Sequence, residues 1–383
     1  MSGIGGIVSV DQGSVRGSCL REMSKALLAR GADRRGAYWN EGAGLFCGQR
    51  GGEPWQPAMI CRGGSNYVAV VDGRPKGSGE FSGMPSSPEL QGGNLALSCY
   101  CALGTDFLGS LEGEYALAIW DEGRREMILA RDPSGRYPLF YRVEGGGLLF
   151  ASEIKGLLRT LPEGSYVDRG RLRSHLFSPP GTFGGEDLYR EISSVPSGGG
   201  GVYSSLGMSL FRSDQGRGGR EESHGQGETE AVCPEAGELE QILAETLFAF
   251  DYPQFDGFMP FVIKEMESAK REGRKVIDLA DGTRWMSLPY AREREDRLSA
   301  LLGVTLRGQT PVKHTAKERE WKRMDRALGR LLGGSVEREL NRILGTGWLS
   351  MLEGERNLLK RIRMEGMLYQ TVLWEREYRV IWT

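Results

Sequence analysis

The first ten residues, MSGIGGIVSV, place small and β-branched residues side by side with almost no polar interruption. That composition suits a strand covered on both faces, beginning at residue 2. The period then changes. In SCLREMSKALLARG (18–31), Leu20, Met23, Leu27 and Leu28 recur at helical spacing and Gly31 supplies a stop. Short strand-like pieces follow in GAGLFCG, NYVAVVDGR and EYALAIWDEGRREMILARD. In the last of these, Asp121-Glu122-Gly123 separates two apolar runs and predicts a hairpin. LFYRVEGGGLLFAS predicts a second hairpin. Many short strands with one or two helices point to a layered α+β domain.

Near residue 196 the pattern dissolves. PSGGGGVYSSLGMSLFRSDQGRGGREESHGQGETE is Gly, Ser and charge with little apolar content, and reads as a linker over 196–234. Beyond Pro234 the spacing turns helical. AGELEQILAETLFAF, FMPFVIKEMESAKREG, AKEREWKRMDRALGRLL and VERELNRIL carry apolar residues three and four apart, and LLKRIRMEGMLYQTVLWEREYRVIW is helical for much of its length. The expected division is a domain at 1–195, the linker at 196–234 and a mainly helical domain at 235–383.

Composition narrows the options. The chain has 383 residues, with 49 Lys plus Arg against 51 Asp plus Glu. A charge this balanced argues against nucleic acid or an anionic membrane surface as a partner. Glycine, at 57 residues, is about twice its usual ~7% share. Six cysteines, at 19, 47, 61, 99, 101 and 233, form no CxxC and no metal-ligand spacing. Cys99 and Cys101 would share a face if they sat on a strand. The three histidines, His175, His224 and His314, neighbour no Cys, Asp or Glu at ligand spacing, which disfavours zinc. With no basic leader, no long apolar run and no sign of a disulfide framework, a cytoplasmic protein without a membrane span is expected.

Residues 110–158, SLEGEYALAIWDEGRREMILARDPSGRYPLFYRVEGGGLLFASEIKGLL, strongly resemble the glutaminase domain of asparagine synthetases and their relatives. RGADRRG (30–36) is similar to that family's RGPDxxG loop, and YREISSVPSGG (189–199) to its domain-closing segment. The resemblance covers nearly all of residues 1–205. It implies a class II glutamine amidotransferase domain: an αββα sandwich with an N-terminal nucleophile whose own amine takes the proton. It also implies a residue set. A nucleophile at position 2 attacks the glutamine amide, Asn and Gly donors hold the oxyanion, and Arg and Asp grip the substrate's charged ends.

This chain departs from that set. Ser2 stands where the family has Cys. The family's Arg falls on or beside Gln49, with Arg50 adjacent. The oxyanion Asn is replaced by Asp72, while Gly73 is kept. The family's SDxE reads Ser86-Ser87-Pro88-Glu89, without the Asp. A carboxylate at 72 would repel an oxyanion. The combined losses predict a sandwich built around an N-terminal nucleophile but inactive as a glutaminase. β-lactam and lasso-peptide macrolactam synthetases resemble the family in the same way, and MSGIGGI with DGRP is more similar to them.

The resemblance also implies a C-terminal domain that adenylates a carboxylate with ATP and Mg. Its phosphate loop, SGGxDS, is missing: SGGGG (197–201) lacks the following Asp-Ser, and LLGGS (331–335) ends a helix. VIDLADGTRW is similar to the family's metal-binding segment and keeps Asp281 and Gly282. LPYAREREDRLSALLGVTLRG is similar to a family helix and makes Arg297 a phosphate-contact candidate. The expected domain is therefore degenerate and truncated, with a helical domain of unrelated origin left as the alternative. Two functions remain: an asparagine-synthetase-related amidotransferase homologue, or a non-catalytic protein that binds a peptide or a partner synthetase. A decayed gene product is a third option. The resemblance also leaves room for a homodimer.

Overall fold

The structure, a computed structural model, describes residues 2–9, 17–28, 34–49, 56–78, 92–161, 164–177, 188–212, 227–229, 234–255, 259–273, 276–278, 297–298, 305–307, 312–314 and 318–383. The chain divides into two units. One joins Met1–Pro162 to Glu191–Arg220; the other joins Glu163–Arg190 to Glu221–Thr383. The chain therefore passes between the units three times.

The first unit holds two six-stranded antiparallel sheets. β1 (Ser2–Ser9) lies between β3 (Ala43–Gln49) and β9 (Gly147–Ala151), flanked further out by β2 (Arg34–Trp39) on one side and by β8 (Phe140–Glu144) and β11 (Ser193–Ser194) on the other. The second sheet runs β13 (Gly207–Arg212), β12 (Gly199–Ser204), β7 (Glu126–Arg131), β6 (Leu111–Asp121), β5 (Ser65–Gly77), β4 (Ala58–Arg62). The predicted hairpins are β6–β7 and β8–β9.

Period-two alternation assigns each side chain a face. Ile4 and Val8 of β1, Leu45 and Cys47 of β3, Val68 and Val70 of β5, and Ala118 and Trp120 of β6 meet in one core between the sheets. The alternate residues, Ala69, Val71, Leu117 and Ile119, face a second core built on α2 (Gly92–Leu103). On the outer face of the first sheet lie α1 (Gly17–Ala26) and the short α3 (Ile154–Leu158), which touch where a Cβ at Gly156 would meet the Leu27 side chain. The order of layers is helix, sheet, sheet, helix. Burying β5 on both faces explains why VAVV reads as an unbroken apolar run.

Two expectations are corrected here. Cys99 and Cys101 lie on α2, not on a strand, with Cys99 buried. The glycine-rich start of the expected linker is the β12–β13 hairpin, paired residue by residue to β7. Its glycines answer to crowding: a Cβ would stand 2.5 Å from the Phe211 carbonyl at Gly199 and 2.6 Å from the Leu129 carbonyl at Gly200. Of the rest of 196–234, residues 213–226 and 230–233 lie outside the described residues.

The second unit is mainly helical: α4 (Arg169–Phe177), α5 (Ala236–Phe250), α6 (Met259–Arg271), α7 (Glu318–Leu331), α8 (Ser335–Leu344), α9 (Gly347–Gly354) and α10 (Leu358–Tyr378). α10 is buried along most of its length from Ile362 to Trp374. Gly366 makes room for the Phe255 ring, which a Cβ there would meet at 2.1 Å. β10 (Ser165–Val167) pairs in parallel with a last strand (Val380–Trp382), and two further parallel two-stranded pairs join Gly227–Thr229 to Val312–His314 and Val276–Asp278 to Thr305–Arg307. Among the described residues no helix is long and apolar enough to cross a membrane.

Candidate functional site

The site implied by the sequence lies where β1, β5 and β9 come together. Ser2 begins β1, with its backbone in register with Gln49 of β3. Two residues along, Ile4 is bonded to Ser152 at the end of β9. The Ile4 N–H donates to Ser152 Oγ at 2.9 Å, and the Ser152 N–H donates to the Ile4 carbonyl at 2.9 Å. The Ser152 hydroxyl lies 3.2 Å from Asp72 Oδ2 on the facing sheet and donates to it, with the Ile4 carbonyl a competing acceptor at 3.3 Å. Asp72 occupies the next inward position after Val68 and Val70, and both it and Ser152 are fully buried. A carboxylate therefore bridges the two sheets close to the first residue of β1.

Gly73 follows at φ +97°, where a Cβ would lie 2.3 Å from the Glu114 carbonyl and 2.6 Å from the Tyr137 ring. No other residue satisfies both the conformation and the space. Tyr137 is set by the loop 131–137, whose charges hold backbone. Arg131 donates to the carbonyls of Tyr137 (2.8 Å), Gly135 (2.8 Å) and Val195 (2.9 Å). Asp132 accepts from the N–H groups of Tyr115 (2.9 Å) and Ser134 (2.7 Å). Burial pushes the Asp132 carboxyl above its ordinary value, against the pull of those bonds. Beyond Ser152, Glu153 and Lys155 form a buried ion pair at 2.8 Å.

Of the residues expected at the site, Asp72 and Gly73 follow one another on β5, and Ser2 begins β1 two residues before Ile4, which Ser152 links to Asp72. Arg50, the Ser86–Glu89 segment and Asp281 lie outside the described residues. Ser152 was missed as a site residue, although ASEIK was read as part of the motif. Its signal was a serine at the end of a strand beside the N-terminal strand.

Arg297 is occupied elsewhere. Its guanidinium is 1% exposed and donates to the carbonyls of Ala249 (3.2 Å) and Phe250 (3.0 Å) at the end of α5. It also lies 3.7 Å from the Asp251 carboxylate. It therefore satisfies orphan carbonyls at a helix C-terminus, and it does not fit the phosphate contact expected of it. Among the described residues no group of three or more His, Cys, Asp or Glu could hold a metal ion. Buried thiols are likewise unsuited to chemistry: burial pushes Cys47 up to about 12 and raises Cys99.

The first unit is a glutamine amidotransferase-like αββα sandwich with the N-terminal strand near the centre of one sheet. Residues 93–211 match the family described as "Glutamine amidotransferase domain". The chain is 31% identical over 118 residues to asparagine synthetase [glutamine-hydrolyzing] 3 of Bacillus subtilis, covering 31% of this chain and 19% of that protein. It is 46% identical over 66 residues to a putative asparagine synthetase [glutamine-hydrolyzing] of Mycobacterium bovis, covering 17% of this chain and 10% of that protein. Among solved structures, the glutamine phosphoribosylpyrophosphate amidotransferase of B. subtilis superposes with a TM-score of 0.39 at 13% identity, over 80% of this chain and 65% of that one. The matched segments thus span a fifth or less of the curated relatives' lengths. The first unit is thus similar, over residues 93–211, to a glutamine amidotransferase domain, and parts of the chain are similar to segments of asparagine synthetases.

Proposed function

We propose that this chain is an asparagine-synthetase-related amidotransferase homologue, derived from ATP-dependent amide-forming enzymes, whose glutaminase site does not hydrolyse glutamine. One observation carries the reading: Asp72, fully buried, presents a carboxylate where the family uses an Asn donor, and is held by Ser152. An oxyanion about 4 Å from a carboxylate, at an effective dielectric of about 20, is destabilised by about 4 kcal/mol. That is roughly a thousandfold in rate, before the loss of the Asn hydrogen bond is counted. Ser2 would be the nucleophile of any residual activity, Gly73 the remaining oxyanion donor, and Arg50 the contact for the glutamine carboxylate.

ATP and Mg enter only through the resemblance. Arg297 does not fit them, so no step is assigned to either; Asp281 stays the one metal-contact proposal. The same carboxylate favours a second reading, a non-catalytic protein that binds a peptide or a partner synthetase in peptide natural-product assembly. An ammonia-release assay with glutamine tests the first claim. No release above background is expected from the wild type; sustained turnover with Asp72 intact would sink it. Calorimetry with ATP and Mg²⁺ separates the two readings. No binding up to millimolar ATP is expected of the binding protein, and saturable micromolar binding lost in Asp281→Ala would restore a synthetase.

A further inference from the structure

The outer face of the first sheet carries a groove that the glutaminase reading leaves unused. It has a volume of about 370 Å³ and runs between α1 and β2. Successive outward positions on β2 place Arg35 and Trp39 along one wall, both exposed. Arg21 and Lys25, one helical turn apart on α1, stand on the other. Leu20 and Phe46, both buried, form the floor.

Two features make this more than a dent in the surface. The first is that the Trp39 indole is fixed. A Cβ at Gly44 would stand 2.4 Å from the ring and one at Gly17 3.5 Å away, so glycines on β3 and α1 seat it. Even seated, Trp39 is 47% exposed, a large apolar surface left facing the groove. The second is the sign of the charge. Three cations line the groove. Among the described residues one half-exposed carboxylate is set against them: Glu22, which pairs with Lys25 at 2.7 Å and also feels the Arg21 charge. A preformed aromatic wall, an apolar floor and two guanidinium groups suit a ligand with a flat apolar body and one carboxylate.

We propose that this groove binds a small aryl carboxylate, with the ring against Trp39 and Phe46 and the carboxylate on Arg21 and Arg35. The proposal is independent of whether glutamine is hydrolysed. Naphthalene-2-carboxylate titrated into the full chain by calorimetry is the probe, with naphthalene-2-carboxamide as the neutral control. Saturable binding with a 1:1 ratio is expected, at least tenfold weaker for the amide. At least tenfold weakening is also expected in the Arg21→Gln/Arg35→Gln variant, whose substitutions are on the surface and leave the fold intact. Trp39→Phe, which keeps a ring on the glycine seat, should weaken it less than Trp39→Ala does. Absence of saturable binding, or affinity unchanged in the double Arg variant, overturns the proposal. A short peptide ending in a phenylalanine carboxylate, titrated in parallel, also overturns it if it binds where the aryl acid does not.

Discussion

The two units bury polar groups in different ways. Between the sheets of the first unit the core is almost wholly apolar, from Ile4 and Val70 to Trp120 and Phe150. Several of its buried polar side chains, Ser152, Arg131 and Asp132 among them, lie at strand ends, whereas Asp72 sits within β5 and takes its partner from the facing sheet. In the second unit a polar chain runs through the helix packing itself. Trp374 Nε1 donates to Tyr189 Oη at 2.8 Å, the Tyr189 hydroxyl donates to the Asp251 carbonyl, and Tyr378 donates to Asp251 Oδ1 at 3.2 Å. Gln370 donates to the Leu243 carbonyl and to Thr246, and accepts the Gln254 N–H at 2.8 Å. Burial of polar atoms is therefore not by itself a mark of a site. In the second unit these groups bond to one another and to helix and loop backbone. In the first, Asp72 instead spans two sheets beside an N-terminal strand.

Substitutions can break this contrast. The largest effect is expected from Arg297→Ala, which leaves Asp251 and two α5 carbonyls without their cation at full burial. A loss of about 3–5 kcal/mol follows, read as an earlier denaturant midpoint, and a change under 1 kcal/mol would show that Arg297 is not a structural cap. Gly73→Ala comes next, combining a left-handed backbone with a clash against Glu114; about 1–3 kcal/mol is expected. An unchanged denaturant midpoint in Gly73→Ala would contradict the crowding described.

Glu365 sharpens the comparison through pH. It is 5% exposed on α10, beside the Asp325–Arg361 ion pair. Burial first, then the Asp325 charge, raises its carboxyl to about 8, with Arg361 opposing. The folded state therefore prefers the protonated acid. Its contribution is fully present below pH ~4.5 and is lost as pH rises toward 8. Glu365→Gln should flatten that decline in thermal midpoint across pH 5–9; an unchanged slope would assign the dependence elsewhere. Ser152→Ala is the smallest perturbation, removing one hydroxyl from Asp72 and the Ile4 N–H. About 1–2 kcal/mol is expected, confined to the first unit. Hydrogen exchange at Ile4 should speed up if the serine ties β1 to β5, and stay unchanged if it does not.

Much of the first unit was legible because strand alternation and turn residues carry the signal locally. β1, the β6–β7 hairpin and the β8–β9 hairpin follow from spacing and from DEG and EGGG. The segment GGNLALSCYCAL was not read as a helix, since it is small or apolar nearly all round and shows no polar stripe. It needs none, because Leu95, Leu97, Cys99 and Tyr100 lie against the second sheet. The hairpin at 199–212 was hidden by its glycines, which look like linker until Phe211, Leu129 and Met208 are seen pressing on them. At the site, the substitution at Asp72 was visible as a departure from a motif. The Ser152 partner was not, because the contact joins residues 80 apart in the chain. Arg297 was misread for a related reason: REREDR says that charge is present, and only packing says what it faces.

The three passages of the chain between its units bear on how the protein can be taken apart. Residues 163–190 leave the sandwich unit, contribute β10 and α4 to the helical unit and return to complete the first sheet with β11. A single cut in the glycine-rich stretch near 213–226 would leave an N-terminal fragment carrying an orphaned strand and helix, and a C-terminal fragment lacking the parallel partner of its last strand. Dissection by deletion therefore calls for two breaks, with the ends at 162 and 191 rejoined by a short bridge.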